Sequence, residues 1–161
     1  MNEKENVIDI RKCKEKDLKE INRIELKNFP SPWPLASFKK ILEKDSVTFL
    51  VAAMNDEILG YLISKTERDL KILKLKKKKT SHLLKIAVRN DSRRIGIGSS
   101  LMNTWKNQIK TKGIKIAKLE VRVQNKVAKK FYLKRGFKEK NLLEKYYPDG
   151  GSAIVMKKEV Q

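Results

Sequence analysis

The sequence predicts an α/β (α+β) fold, a mixed and mostly antiparallel central sheet of about seven strands with helices on both faces. Three observations carry this expectation. Apolar runs and helical spacings alternate in the order β-α-α-β-β-β-α-β-α-β-β. The strand–helix–strand succession over 82–123 implies a parallel crossover, since parallel neighbours need a long, usually helical connection. The apolar runs within 47–66 and 137–158 turn back after a few polar residues, as antiparallel hairpins do. No repeat or linker interrupts the 161 residues, so a single domain over 1–161 is expected.

The elements follow in order. VIDIRKC (7–13) alternates like a strand. Asp17 with Glu20 three residues later has the form of a capping box, and Leu18, Ile21 and Ile24 or Glu25 continue at helical spacing. That helix should end before Pro30, where FPSPWP (29–34) begins, and a second short helix is expected at about 35–43. VTFLVAAM (47–54) and EILGYLISKT (57–66) flank Asn55-Asp56 as a hairpin. KILKLKKKKT (71–80) reads as an exposed loop or a solvated strand extension. HLLKIAV (82–88) is a buried-strand candidate, followed by a helix from Ser99 whose Leu101, Met102, Trp105 and Ile109 share one face, stopped by Gly113. IAKLEVRV (116–123) is another strand, and Asn125 caps a helix that ends at Gly136. Two strands near 137–147 and 152–158 close the chain around the turn Pro148-Asp149-Gly150-Gly151.

Composition narrows the function classes. No apolar run approaches the roughly 18 residues of a membrane span, and MNEKENVIDIRK lacks the apolar core of a secretory signal. One cysteine, Cys13, excludes an internal disulfide framework, and no zinc-like cluster is present, so no metal is expected and the setting reads as cytoplasmic. The net charge of +20 favours acidic partners, but lysines far outnumber arginines, and lysine serves as plain solvated surface as readily as it binds phosphate.

The stretch RRIGIGSS (93–100) opens a helix with two glycines. Glycines let backbone amides approach an anion, and a helix N-terminus favours negative charge. It is not a Walker loop, because no Gly-Lys-Ser/Thr follows, and it lacks the third glycine of the dinucleotide fingerprint. Taken alone it also fits a tight strand-to-helix turn.

The remaining motifs fall in a specific order. Ile86-Ala87-Val88 precedes Arg-x-x-Gly-x-Gly (93–98); Leu119-Glu120-Val121-Arg122 follows, then Asn125-x-x-Ala128-x-x-Phe131-Tyr132-x-x-x-Gly136-Phe137, and finally Tyr146-Tyr147-x-Asp149-Gly150 with Ala153-x-Val155-Met156. This series resembles the GNAT superfamily of N-acetyltransferases. Within it the chain is most similar to protein N-terminal acetyltransferases of the ribosomal-protein alanine type and their archaeal relatives.

The resemblance implies a GNAT fold with a splayed parallel strand pair and acetyl-coenzyme A as the acetyl donor. It implies that Ile86, Ala87 and Val88 hydrogen-bond the pantetheine arm. The loop of Arg93, Arg94, Ile95, Gly96, Ile97, Gly98 and Ser99 would then hold the pyrophosphate, and Asn125 would contact the arm by its side chain. Tyr132 is implied near the thioester sulfur as general acid, with Glu120 and His82 as candidate bases. Phe29, Tyr146 and Tyr147 match the groove for the substrate peptide.

The chemistry is consistent with those types. An α-ammonium has a pKa of about 7.7–8.0 against about 10.4 for lysine, so a carboxylate acting through water or a histidine suffices as base. The Val88 amide is placed to hold an oxyanion. Plainer roles stay open: Glu120 as a solvent-facing strand residue, Tyr132 as core, His82 at a strand end, Arg93 and Arg94 as helix-start charges, and the three aromatics as ordinary packing. Three functions stay open as well. The leading one acetylates protein N-termini or nascent peptides, with ribosome association compatible and a monomer or weak dimer expected. The second keeps the fold and takes lysine side chains or polyamines. The third is a basic ribosome- or nucleic-acid-binding module. KLKKKKT carries no interleaved aromatics, which argues against specific nucleic-acid binding, and no membrane partner is expected.

Overall fold

A computed structural model describes residues 7–68 and 79–161. Its strands are β1 (Asp9–Lys12), β2 (Val47–Met54), β3 (Glu57–Arg68), β4 (Lys79–Val88), β5 (Ile116–Arg122), β6 (Lys138–Leu143) and β7 (Ala153–Glu159). Its helices are α1 (Leu18–Asn28), α2 (Leu35–Leu42), α3 (Ile97–Thr111) and α4 (Lys126–Leu133), with short 3-10 turns at Glu15–Asp17 and Asn90–Ser92. The strands form one mixed seven-stranded sheet in the order β1-β2-β3-β4-β5-β7-β6. The β4–β5 pair is parallel, while β1–β2, β2–β3, β5–β7 and β6–β7 are antiparallel. The expected lysine-rich arm falls mostly outside the described residues; only its last two residues, Lys79 and Thr80, are seen, opening β4.

Two compact units make up the described chain. The first comprises the described residues through Lys65 together with Lys85–Gln108. Its core gathers Ile21 and Ile24 of α1, Phe38 of α2, the continuous buried runs 49–53 of β2 and 58–64 of β3, and Leu101 and Trp105 of α3. Phe38 lies 5.8–6.2 Å from the rings of Trp33, Phe49 and Tyr61, the spacing of tilted and edge-on aromatic packing. Asn55 and Asp56 take φ of 49° and 65°, the left-handed pair of a two-residue turn whose twist matches the strands.

Helix α1 begins differently from the sequence expectation. A 3-10 turn over Glu15–Asp17 precedes it, which puts Asp17 in helical φ/ψ with no side-chain cap. Its carboxylate instead accepts the Lys14 amide at 2.8 Å and takes both guanidinium nitrogens of Arg11 at 2.7 and 3.0 Å. Glu20 pairs with Arg23 rather than returning to the cap.

The second unit comprises the described residues of Thr66–Leu84 with Ile109–Gln161. Along β5 the buried residues alternate as Ala117, Leu119 and Val121, which puts Lys118, Glu120 and Arg122 on the opposite face. Asn125 caps α4 as expected, its Oδ1 accepting the Ala128 amide at 3.0 Å. Strand β6 stops at Leu143, short of the expected 147, because Lys145 turns to φ 51°. Tyr146 and Tyr147 therefore sit in the β6–β7 connection and not in a strand. That connection closes with Gly150 N–H donating to Tyr147 O at 2.8 Å and Tyr147 N–H to Gly151 O at 2.9 Å.

Candidate active site

In the second unit, parallel register builds the acid–base pair. His82 on β4 lies opposite Lys118 on β5, and Glu120 is two residues further along the same face. His82 Nε2 meets Glu120 Oε2 in a short hydrogen bond, and His82 Nδ1 faces Glu67 Oε1 at 3.0 Å. Lys118 Nζ lies 3.5 Å from the other Glu120 oxygen. The His82 and Glu120 side chains are 11% and 10% exposed, whereas Glu67 is 41% exposed.

Burial pulls the His82 pKa down, but hydrogen bonds to Glu120 and Glu67 outweigh it, so the imidazole is raised above its ordinary 6.5. For Glu120 burial pulls upward, and the bond and charge of His82 with that of Lys118 win, leaving the carboxyl below its ordinary value. The two groups therefore move in opposite directions. A proton taken up by the pair is favoured on the imidazole, with Glu120 as its anionic partner.

Tyr132 on α4 is buried between Phe131 and Phe137, with ring centroids at 5.4 and 5.9 Å. Burial, with a smaller push from Tyr147, holds its pKa well above the ordinary tyrosine value, so the hydroxyl keeps its proton. That changes the energetics expected from the sequence. A buried phenol stabilises a nearby thiolate as a hydrogen-bond donor, and complete transfer to sulfur is driven less than for an ordinary tyrosine. Tyr146 and Tyr147 pack edge-on at 5.0 Å. Arg122 stacks its guanidinium over the Tyr147 ring at 3.9 Å while pairing both nitrogens with Asp149 at 3.0 Å. Gly151 is what leaves room for it, since a Cβ there would stand 2.5 Å from Arg122.

The first unit contains the end of β4 and the glycine loop. The β4–β5 ladder ends at Leu83↔Leu119, whereas β4 runs on through Ile86 and Ala87 to Val88. Gly60 of β3 allows close approach there, because a Cβ would stand 2.8 Å from Ala87 O. Arg94 and Gly96 both take positive φ, 67° and 91°, and α3 starts at Ile97, two residues before the expected Ser99. Gly98 and Ser99 therefore lie in the first helical turn. Arg94, Ile95 and Gly96 are exposed, and the first-turn amides of a helix have no intrahelical acceptor. This suits a diphosphate held by main chain. Arg93 is committed otherwise, donating to Val88 O at 3.3 Å and to Asn28 Oδ1. Asn125 likewise uses its side-chain oxygen on Ala128, which leaves its amide N–H groups to donate to a further partner.

A second buried charge cluster lies in the first unit. Fully buried Glu25 accepts Tyr61 O–H, the Trp33 amide at 2.7 Å and the Lys85 ammonium. Lys85 Nζ also stands 3.9 Å from the Phe29 ring centre and 4.9 Å from that of Trp33. The structure thus joins His82 to Glu120, Tyr146 to Tyr147 and Arg93 to Val88, and it seats Phe29 on Lys85. The sequence reading missed Glu67, Lys118, Lys85 and Arg122. Glu25 alone had a signal, a carboxylate standing on the apolar stripe of α1.

Comparison with known proteins is consistent with this architecture. Residues 18–137 match the acetyltransferase (GNAT) family. An N-alpha-acetyltransferase of Sulfurisphaera tokodaii is 34% identical over 151 residues, which is 91% of this chain and 90% of the relative. The crystal structure of Ard1 from Thermoplasma volcanium has a TM-score of 0.84 at 26% identity, covering 96% of this chain and 98% of that one. The ribosomal-protein-S18-alanine N-acetyltransferase from Escherichia coli has a TM-score of 0.81 at 25% identity, covering 96% and 95%. The chain belongs to the acetyltransferase (GNAT) family.

Proposed function

We propose that the protein transfers acetyl from acetyl-coenzyme A to the α-amino group of protein N-termini, with the His82–Glu120 pair as proton acceptor. The observation that carries the reading is that pair: a buried imidazole whose pKa is raised, toward that of an α-ammonium, by a partner carboxylate. The shift moves the acceptor toward the donor, the direction that proton transfer near neutrality favours. Lysine ammonium, at about 10.4, lies further from the same acceptor than an α-ammonium does.

The thioester supplies an activated acetyl group. Attack by the neutral amine forms the N–C bond and breaks the C–S bond. The ammonium gives up two protons in the whole reaction, one to the pair and then to solvent, the other to the departing sulfur. The Tyr132 hydroxyl is assigned to the sulfur, as the donor that stabilises the thiolate until it is protonated. The first-turn amides of α3, with Arg94 beside them, are assigned to the diphosphate, the β4 main chain at Ile86–Val88 to the pantetheine arm, and the Val88 amide to the oxyanion. Phe29, Tyr146 and Tyr147 are assigned to the peptide.

Supporting the protein-substrate part are the N-alpha and ribosomal-protein acetyltransferases among its relatives. The +20 charge suits docking near ribosomal RNA, where N-termini emerge, and predicts co-sedimentation with ribosomes that salt weakens. The deciding experiment offers acetyl-coenzyme A and paired peptides, with free or blocked N-termini, differing at the first residue. Product is expected on free N-termini only. Product confined to blocked, lysine-bearing peptides overturns the assignment.

A further inference from the structure

Glu67 has no part in the mechanism above, and nothing in its surrounding sequence, KTER, marks it. Its carboxylate nevertheless faces the one ring nitrogen of His82 that Glu120 does not occupy, at 3.0 Å. We propose that Glu67 is a positioning residue for acetyl transfer: it holds the Nδ1–H of His82, so that Nε2 faces Glu120 as the proton-accepting nitrogen. The inference rests on the reading of the His82–Glu120 pair as acceptor and names what prepares that pair.

Neutral imidazole carries one proton on either nitrogen, and the hydrogen bond made by one nitrogen decides which form is present. The imidazolium donates to a carboxylate on each side, and with Nδ1–H anchored on Glu67 the proton it exchanges is the one in the Nε2–Glu120 bond. A proton delivered by way of Glu120 is then received at Nε2 without ring rotation. The imidazolium that results has a carboxylate on each side. Because Glu67 is the more exposed of the two, it is the member that solvent can reach.

The charges around the ring fix the sign of the effect. Glu67 of β3 and Glu120 of β5 favour the imidazolium, and Lys118 of β5 opposes it. Tyr146 and Tyr147, in the β6–β7 connection, feel Glu120, and Tyr146 feels Glu67 as well. Removing the Glu67 charge takes away one of two stabilising anions while burial and Lys118 remain. The imidazole must become less basic.

His82 is the only histidine of the chain, so an imidazole NMR titration of the whole protein reads this group alone. Glu67→Gln should lower the titration midpoint and keep the Nδ1–H tautomer, because the glutamine carbonyl still accepts that hydrogen. Glu67→Leu should lower the midpoint and lose the tautomer preference. In steady-state acetylation of a free-N-terminal peptide, Glu67→Gln should move the acid limb of kcat to lower pH. Its plateau should drop several-fold, with KM for peptide and for acetyl-coenzyme A unchanged. An unmoved midpoint in Glu67→Gln overturns the proposal, as does a loss of activity that raises KM and leaves the limb in place. Wild-type protein that makes no product on free N-termini would sink the α-amine reading instead, and the titration would still decide whether Glu67 governs His82.

Discussion

Two buried carboxylates, Glu25 and Glu120, have each taken a cationic partner, yet their surroundings give them different capacities. Glu25 is fully enclosed and receives three donors: a phenol, a main-chain amide and the Lys85 ammonium. Burial lowers the Lys85 pKa, and Glu25 opposes it. No histidine stands among the partners of Glu25. Glu120 has an imidazole for its partner and a half-exposed second carboxylate beyond it. An imidazole, the side chain whose ordinary pKa lies nearest neutrality, belongs to one cluster and not to the other. A buried ion pair is itself weak support for stability, since desolvation offsets much of the attraction. What distinguishes the two is whether the proton can move.

The largest expected effect tests the titrating cluster. Glu120→Gln should lower kcat by about 10²–10⁴-fold, the range for loss of general acid–base assistance, and leave the protein folded by circular dichroism. Near-normal turnover would reduce Glu120 to the level of Glu25, and the contrast would fail. The converse substitution comes next. Glu25→Ala leaves a buried ammonium, a phenol and an amide without their acceptor, and breaking such a pair costs about 3–5 kcal/mol. Urea unfolding should register this as a lower midpoint. The surviving folded protein should lose peptide affinity before it loses kcat, because Glu25 ties the Trp33 amide and Lys85 supports Phe29.

Stability against pH sharpens the same comparison. The folded pKa of His82 lies above its ordinary 6.5. Its contribution is therefore fully present below about 6.5 and is lost as pH rises through the folded value. Glu120 runs the other way: its contribution is present above the ordinary carboxyl value and is lost as pH falls through its depressed one. Thermal unfolding of wild type should thus weaken at both ends. His82→Gln should abolish the loss on the alkaline side of neutrality. An alkaline loss that persists in His82→Gln would place the titrating group elsewhere.

Much of this arrangement was legible from the sequence, and the gaps have physical causes. The order and type of the strands and helices followed from apolar runs, helical spacings and the turns between them, although exposed β6 shows no apolar face. Asp17 misled, since its form as a cap did not reveal that a 3-10 turn would spend its carboxylate on Lys14 and Arg11. Tyr146 and Tyr147 were placed in a strand because no local signal foretells the left-handed turn at Lys145. His82 and Glu120 were picked by resemblance, but their contact depends on a parallel register set by strands 38 residues apart in sequence. Lys118 became visible only with that register, and Glu67 only when β3 was seen to reach the other side of the ring. Arg93, expected from its position before the glycines to meet a phosphate, donates in the folded chain to Val88 and Asn28.

A third carboxylate, Asp149, gives the smallest effect and the cleanest control. It sits on the surface, and its bidentate pair with Arg122 is open to water. Exposed pairs contribute little to stability, because water screens the attraction and the side chains lose freedom in forming it. Asp149→Ala should therefore leave the urea midpoint where it is. The pair nevertheless orients something: Arg122 stacks on Tyr147, and the Gly151 amide donates to Asp149 at 3.0 Å, so one carboxylate fixes both the guanidinium and the turn. Loss of that hold should raise KM for the peptide, with kcat and KM for acetyl-coenzyme A unchanged. Asp149→Asn keeps an acceptor for Gly151 and Arg122, and should recover part of the affinity. If kcat falls instead, Tyr147 acts on the reacting groups, and the division between a titrating cluster and a merely orienting one must be redrawn to include it.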